Sequence, residues 1–109
     1  MNIEDMTIGE LQKISSLFGK TTDDSAWEIG KVYLIRTVTM IDTGRLIAVT
    51  PNELVLEDAA WIADTGRFSD ALKSANFNEV EPFPDGRVIV GRSAIIDAVV
   101  IGTIQRSQK

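Results

Sequence analysis

Four arginines lie next to predicted turns that contain glycine: Arg45, Arg67, Arg87 and Arg92. The planar guanidinium group of arginine donates two parallel hydrogen bonds and therefore binds phosphate and carboxylate groups well. If the fold brings several of these turns to one end of a sheet, they would form a pocket for a small anion. Otherwise the four arginines are isolated surface charges on a solvated rim.

Two aromatic residues flank the predicted turn at residues 64–67. Trp61 precedes this turn and Phe68 follows it. Aromatic rings beside an arginine are suited to stacking on a nucleobase. The alternative is that both rings belong to the core or attach the following helix to the sheet. The candidate ligand-binding residues are therefore Arg36, Arg45, Asn52, Trp61, Asp64, Arg67, Phe68 and Arg92.

The tetrapeptide Asp-Thr-Gly-Arg occurs twice, at residues 42–45 and 64–67. Asp-Thr-Gly is also the catalytic triplet of aspartic proteases, in which two carboxylates in contact share one proton. The same residues are good turn chemistry, because Asp bonds its own backbone and Gly adopts positive φ. A protease needs one triplet on each lobe or subunit, whereas one copy here is predicted in a hairpin and the other before a helix. The pattern therefore favours two turns.

Arg36 lies in the middle of a predicted strand, on the face that carries Val32, Leu34, Val38 and Met40. A charged group on an apolar face is costly unless it is paired or reaches water. We expect a structural partner such as Glu57 or Asp58. The alternatives are an arginine that faces a ligand, or a strand whose other face is the buried one, with Tyr33, Ile35 and Ile41 inside.

The composition excludes several classes of chemistry, because the 109 residues include no cysteine and no histidine. Disulfides, thiolate or imidazole metal sites and Ser-His-Asp triads are thereby ruled out. EF-hand, Walker A, G-x-G-x-x-G and G-x-S-x-G patterns are also absent, so we predict a non-enzymatic protein without cofactor or metal. A net charge of −5 opposes general binding to nucleic-acid backbones. No membrane helix or signal peptide is recognised, and we expect a cytoplasmic protein.

The hydrophobic pattern predicts a single, mainly β domain in the order helix, three strands, helix, two strands. Five short strands usually avoid exposed edges by curling, so we predict a small five-stranded antiparallel barrel with a helix before it and one inserted after the third strand. The predicted segments are a helix and loop at 1–26, a three-strand meander at 27–63, a helix and Pro-containing loop at 64–86, closing strands at 87–104 and a tail at 105–109.

Local signals predict where these elements begin and end. Thr7 and Glu10 have the capping-box form at the start of the first helix, which is predicted over 7–18. Gly44 predicts a hairpin connection at residues 42–44, since glycine adopts positive φ readily. Pro51 predicts a turn at residues 50–53. The polar residues from Gln105 onward are expected to fray.

Two segments of the strand region resemble the signature segments of the Sm-like family (Lsm and Hfq). They are GRLIAVTPNELVLEDA at residues 44–59 and RVIVGRSAII at residues 87–96. The resemblance implies an N-terminal helix, a five-stranded bent sheet and rings formed by edge-strand pairing. The family's RNA-contacting Asn falls on Glu53 here, with Asn52 one place earlier, and its Arg before the second Gly falls on Val90. RNA binding of the Sm type is therefore not expected.

We expect a homo-oligomer, because a small sheet leaves edges that another copy can extend. The C-terminal strand region also offers more apolar surface than one small core needs, at Ile95, Ile96, Val99, Val100 and Ile101. The leading hypothesis is a non-enzymatic binding protein that holds a small anionic, nucleotide-like ligand at the Arg-bearing turns, as in nucleotide sequestration in a phage or bacterium. The alternatives are a structural or assembly protein without a small ligand, and an Sm-like RNA-binding protein.

Overall fold

A computed structural model describes residues 26–109, which form six strands and one α-helix. The predicted helix at residues 7–18 lies outside the described residues. In chain order the elements are β1 (Val32–Thr37), β2 (Ile41–Val49), β3 (Glu53–Asp64), α1 (Phe68–Ser74), β4 (Glu79–Pro82), β5 (Val88–Gly91), a 3-10 turn (Arg92–Ala94) and β6 (Ile95–Val100). The predicted mainly β fold is confirmed, as is a helix after the third strand.

The sheet is built around β3, which pairs with three other strands. The order is β4-β3-β2-β1-β6, with every pairing antiparallel, and β5 also pairs with β3. β5 lies along the first part of β3, where Leu54 is opposite Val90, and β4 lies along the last part, where Trp61 is opposite Glu81. Between these parts Asp58 has a φ of 51° at an irregularity in the β2–β3 register. Such a bulge bends the strand, and two short strands can therefore share one edge of β3.

Gly44 lies inside β2, so the predicted hairpin at residues 42–44 is wrong. A Cβ atom on Gly44 would lie 3.0 Å from Cβ of Leu56 and 3.1 Å from Cβ of Ala59, so glycine permits the close approach of β3. The β1–β2 connection lies instead at residues 37–40, where N of Thr37 donates to O of Met40 at 2.8 Å. The hydroxyl of Thr37 donates to the same oxygen at 2.9 Å. The observed β1–β2 turn thus lies before the predicted one, and a threonine side chain closes it in place of the predicted glycine.

Both faces of β1 are covered, because Val32, Tyr33, Leu34 and Ile35 are all buried. The sequence offered either face of this strand as the buried one, and in the structure both faces are buried at residues 32–35. The first core consists of Tyr33, Ile35, Leu46, Leu54, Leu56, Ala59 and Val90. The second core consists of Leu34, Ala60, Ile62, Ala71, Ala75, Phe77 and Val80. The helix α1 contributes Ala71 to the second core, and Ile101 packs against this core from the tail.

The tail does not fray as predicted, because it bonds to the sheet. Arg106 donates from Nη1 to O of Ala59 at 2.7 Å and from Nη2 to O of Phe83 at 2.9 Å. The backbone of Lys109 donates to O of Val80 at 2.9 Å and accepts from N of Val80 at 3.1 Å. The sequence predicted that these polar residues are solvated. In the structure they form hydrogen bonds with backbone groups at the β4 side of the sheet.

The described strands are not closed into a barrel, since no ladder joins β6 to β4 or β5, and the predicted closure is not confirmed. Six strands are present where five were predicted, because residues 79–82 pair with β3 although they lie in the predicted loop. The last strand ends at Val100 and does not continue to Ile104. Beyond it, Ile101 joins the second core and Gly102 has a φ of 75°, so the chain leaves the sheet.

Candidate functional site

The eight candidate ligand-binding residues lie in four places on the sheet. They are Arg36, Asp64, Arg67 and Phe68 near the start of α1; Arg45 at the bulge; Asn52 and Arg92 at the β2–β3 turn; and Trp61 in β3. The β2–β3 turn and the start of α1 are at opposite ends of the twelve-residue strand β3. At a rise of about 3.3 Å per residue, these ends are roughly 35 Å apart along the strand. The Arg-bearing turns are therefore not gathered at one end.

Arg36 joins three elements at the end of β1. Its Nε donates to Oδ1 of Asp97 in β6 at 2.8 Å, and its Nη2 pairs with Oδ2 of the same carboxylate. Its guanidinium carbon lies 4.8 Å from the centre of the Phe68 ring in α1, within cation–π range. Hydrogen bonding and charge raise the pKa of Arg36, and the hydrogen bond from Arg36 lowers the pKa of Asp97. The expected structural partner exists, but it is Asp97, whereas Glu57 or Asp58 was predicted.

Arg45 lies at the bulge and is paired with two acidic residues. Its Nη1 lies 3.1 Å from Oε1 of Glu57 and 2.8 Å from Oδ2 of Asp58. The hydrogen bonds that Arg45 donates to Glu57 and then to Asp58 raise the pKa of Arg45. Two carboxylates face one guanidinium, so the local charge is negative. This arrangement disfavours an anion and holds β2 against the irregular part of β3.

Arg92 links the 3-10 turn to the β2–β3 turn. Its Nη1 donates to O of Thr50 at 2.7 Å, and its backbone N donates to O of Asn52 at 2.9 Å. Asn52 is exposed, and it contributes its main-chain carbonyl oxygen to this contact. The predicted turn at residues 50–53 is confirmed, since N of Glu53 donates to Oγ1 of Thr50 at 3.0 Å.

The two Asp-Thr-Gly-Arg copies have different structural roles. In the first copy, Thr43 is buried in β2 and its hydroxyl donates to O of Tyr33 at 2.8 Å. In the second copy, Oδ1 of Asp64 accepts from N of Gly66 at 2.8 Å, and Gly66 has a φ of 70°. The second copy is therefore the predicted turn, and the first is not. Arg67, which follows, is the exposed residue at the N-cap of α1.

Trp61 lies in β3 opposite Asp42 of β2, and its side chain is 38% exposed. Both residues line a surface pocket together with Met40 and Phe83. In the sequence, Asp42 is notable only as the first residue of the repeated tetrapeptide. Its register opposite an aromatic residue could not be read from the sequence, because Gly44 suggested a turn where β2 continues.

In the part of the chain that the structure describes, β4, β5 and β6 each pair with a single strand. Val80 in β4 also exchanges two backbone hydrogen bonds with Lys109, which leaves the outer edges of β5 and β6 for comparison. β6 pairs only with β1 and β5 pairs only with β3. Large apolar side chains are exposed on both strands: Ile96 (64%), Val99 (42%) and Val100 (45%) on β6, and Ile89 (62%) on β5. We refer to residues 95–100 as the β6 edge and to residues 88–91 as the β5 edge.

Comparison of the chain with protein-family models, curated proteins and solved structures found no match. Residues 26–109 contain no helix that is long and apolar enough to cross a membrane. Within the same residues, no group of three or more acidic side chains is arranged to hold a metal ion. The Sm-like resemblance stays a prediction that rests on its two sequence segments.

Proposed function

We propose that this chain is a structural or assembly protein that forms homo-oligomers by pairing of edge strands. The observation that carries the proposal is the β6 edge, where Ile96, Val99 and Val100 are exposed and where no strand of residues 26–109 pairs with the outer side of β6. Natural proteins usually block such an edge with lysine, proline or a covering element. β6 contains neither lysine nor proline, and its one charged residue, Asp97, is paired with Arg36.

The β5 edge is a suitable partner for the β6 edge of a second copy. A contact between two different edges is heterologous, and it forms a closed ring when the rotation between copies closes. β5 carries exposed Ile89, and β6 carries exposed Ile96, Val99 and Val100, so both edges offer apolar side chains to a second copy. The proposal includes a small Sm-like barrel in each copy, with its β6 edge paired to the β5 edge of the next copy. The Sm-like resemblance, which implies edge-strand rings, supports this arrangement.

The arginine contacts favour assembly over a shared anion site. Arg36 and Arg45 are paired with carboxylates, and Arg92 donates to a backbone carbonyl. A ligand phosphate would have to compete with these partners for the guanidinium groups. Three candidate binding residues therefore stabilise the fold of the single copy.

Native mass spectrometry and light scattering at micromolar concentration test the proposal. We expect one defined subunit number for the wild type, and monomers for Ile96→Lys and Val99→Lys, because lysine on an edge prevents pairing. The matched control is Ile29→Lys, which adds the same charge at a side chain of similar exposure (59%) outside the strands. A monomeric wild type, or edge variants that keep the wild-type subunit number, would refute the proposal.

A nucleotide-like anionic ligand is the second candidate function, and Arg67 is the observation that favours it. Arg67 is exposed beside Phe68, and within residues 26–109 its side chain has no hydrogen bond or ion pair. We expect absorbance at 260 nm to copurify with the protein and to be lost in Arg67→Ala but kept in Arg87→Ala, another exposed arginine. Protein free of such absorbance would remove this candidate.

RNA binding of the Sm type has the least support, since Glu53 and Val90 stand where the resemblance would place the family's RNA-contacting Asn and Arg. It predicts a steep dependence of binding on salt for an oligo-U probe.

A further inference from the structure

A surface pocket beside the first core is lined by two aromatic rings, a thioether and one carboxylate. The lining residues are Met40, Asp42, Trp61 and Phe83, and the volume is about 280 Å³. Sites for drug-sized ligands usually have about 300–1,000 Å³. The pocket therefore matches a small group or the end of one long side chain.

Among residues 26–109, Asp42 is the one charged residue that lines this pocket. Its carboxylate has no hydrogen bond or ion pair with any residue in the described part of the chain. Partial burial raises the pKa of Asp42 above its ordinary value, because desolvation disfavours the charged form. A cation placed beside this carboxylate would offset that desolvation cost.

A second carboxylate lies on the other side of Trp61. The strand register places Asp42 of β2 opposite Trp61 of β3, and Trp61 opposite Glu81 of β4. Directly opposite residues on antiparallel strands share a face, with Cβ atoms about 4.5–5.5 Å apart. The indole is therefore flanked by acidic residues in both directions. The guanidinium of Arg106 is held by the carbonyls of Ala59 and Phe83 and does not line the pocket.

We propose that this pocket binds a methylated alkylammonium group, which is carried by a free amine or by a methylated lysine side chain. An organic cation is attracted to the face of an aromatic ring, most strongly to tryptophan. The apolar walls contact the alkyl part of the ligand, and Asp42 supplies the opposite charge. The pocket does not include the β5 or β6 edge, so the proposal holds whether or not the chain assembles.

NMR titration of the ¹⁵N-labelled full chain tests the proposal at constant ionic strength. The probes are tetramethylammonium chloride and neopentyl alcohol, which has a similar shape and no charge. We expect the indole N–H resonance of Trp61, assigned by its loss in Trp61→Phe, to shift saturably with the cation and not with the alcohol. A trimethyllysine peptide flanked by glycines then separates the sources. Tighter binding of this peptide than of free trimethyllysine supports a protein ligand, and equal binding supports a free amine.

Two matched variants measure how much the Asp42 carboxylate contributes to binding of the cation. We expect Asp42→Asn to weaken tetramethylammonium binding about fivefold or more. Asp70→Asn makes the same change of charge on the exposed face of α1 and is expected to leave binding unchanged. Circular dichroism confirms that both variants are folded. Equal shifts with the neutral and charged probes, or equal effects of the two asparagine variants, would overturn the proposal.

Discussion

Replacement of Gly44 by alanine tests how closely β2 approaches β3 at the bulge. The added Cβ would lie 3.0 Å from Cβ of Leu56, 3.1 Å from Cβ of Ala59 and 3.1 Å from O of Glu57. Leu56 and Ala59 are fully buried, and the third neighbour is a backbone atom. None of these atoms is the end of a flexible side chain, so the two strands themselves must separate.

Two opposing free-energy contributions determine the size of the Gly44→Ala effect. Overpacking of a well-packed core costs about 1–3 kcal/mol. Alanine in place of glycine gains about 0.4–1 kcal/mol, because the unfolded chain has fewer conformations to lose. We therefore expect a net destabilisation of about 1–2 kcal/mol. For a domain of this size, that corresponds to a decrease in Tm of roughly 5–10 °C.

Urea and thermal unfolding, followed by tryptophan fluorescence, measure this effect. Protein concentration must be the same in every sample, because assembly would stabilise the folded state. The control is Gly91→Ala, where no atom beyond the adjacent residues lies within 4 Å of the added Cβ and φ is −70°. Because Gly91 belongs to the β5 edge, the two variants are compared at a concentration at which the protein is monomeric. The unfolding free energy of Gly91→Ala should stay the same or rise by up to about 1 kcal/mol, because this variant has the gain from the unfolded chain without the overpacking. A Gly44→Ala protein as stable as Gly91→Ala would refute the close approach.

Three further substitutions test individual contacts by urea unfolding. Asp97→Asn breaks the pair with Arg36 and should destabilise the fold at neutral pH. Because the pair lowers the pKa of Asp97, its stabilisation of the fold is present above the ordinary aspartate pKa and is lost as pH falls through the lowered value. The stabilities of the variant and the wild type should therefore converge in acid. Asp42→Asn should change stability in the opposite direction. The pKa of Asp42 is raised, which means that ionisation of its carboxyl group destabilises the fold. The asparagine variant should therefore be more stable than the wild type at neutral pH, and this difference should vanish as acid protonates Asp42. A pH-independent difference would contradict either prediction. Arg106→Ala removes two hydrogen bonds to backbone carbonyls; it should cost about 1 kcal/mol and accelerate amide exchange in β4, and unchanged exchange would show that the tail is not fastened there.

Elements whose signals are local were predictable from the sequence. Phe68 and Ala71 recur at helical spacing, and α1 is found there. Asp64 with Gly66 predicted a turn because an aspartate side chain bonds its own backbone two residues on, and that bond is present. The Val- and Ile-rich segments from residue 32 onward are strands for the same local reason, since β-branched side chains suit a pleated surface.

Contacts that depend on strand order were not predictable. Arg36 and Asp97 are 61 positions apart and meet only because β6 lies beside β1. Gly44 was misread because glycine permits both positive φ and close packing of strands, and only the bulge opposite it distinguishes the two roles. The pocket beside Asp42 was missed for the same reason, since the error at Gly44 removed Asp42 from the strand.

Amide hydrogen exchange along β6 as a function of protein concentration tests edge-strand assembly most directly. Ile101 donates its N–H to O of Val32, and Val99 is paired with Leu34, so strand alternation turns the amides of Ala98 and Val100 away from β1. We predict that these two outward amides exchange slowly at concentrations where the oligomer forms, and fast on dilution or in Ile96→Lys. Fast exchange of both amides at every concentration would contradict the account.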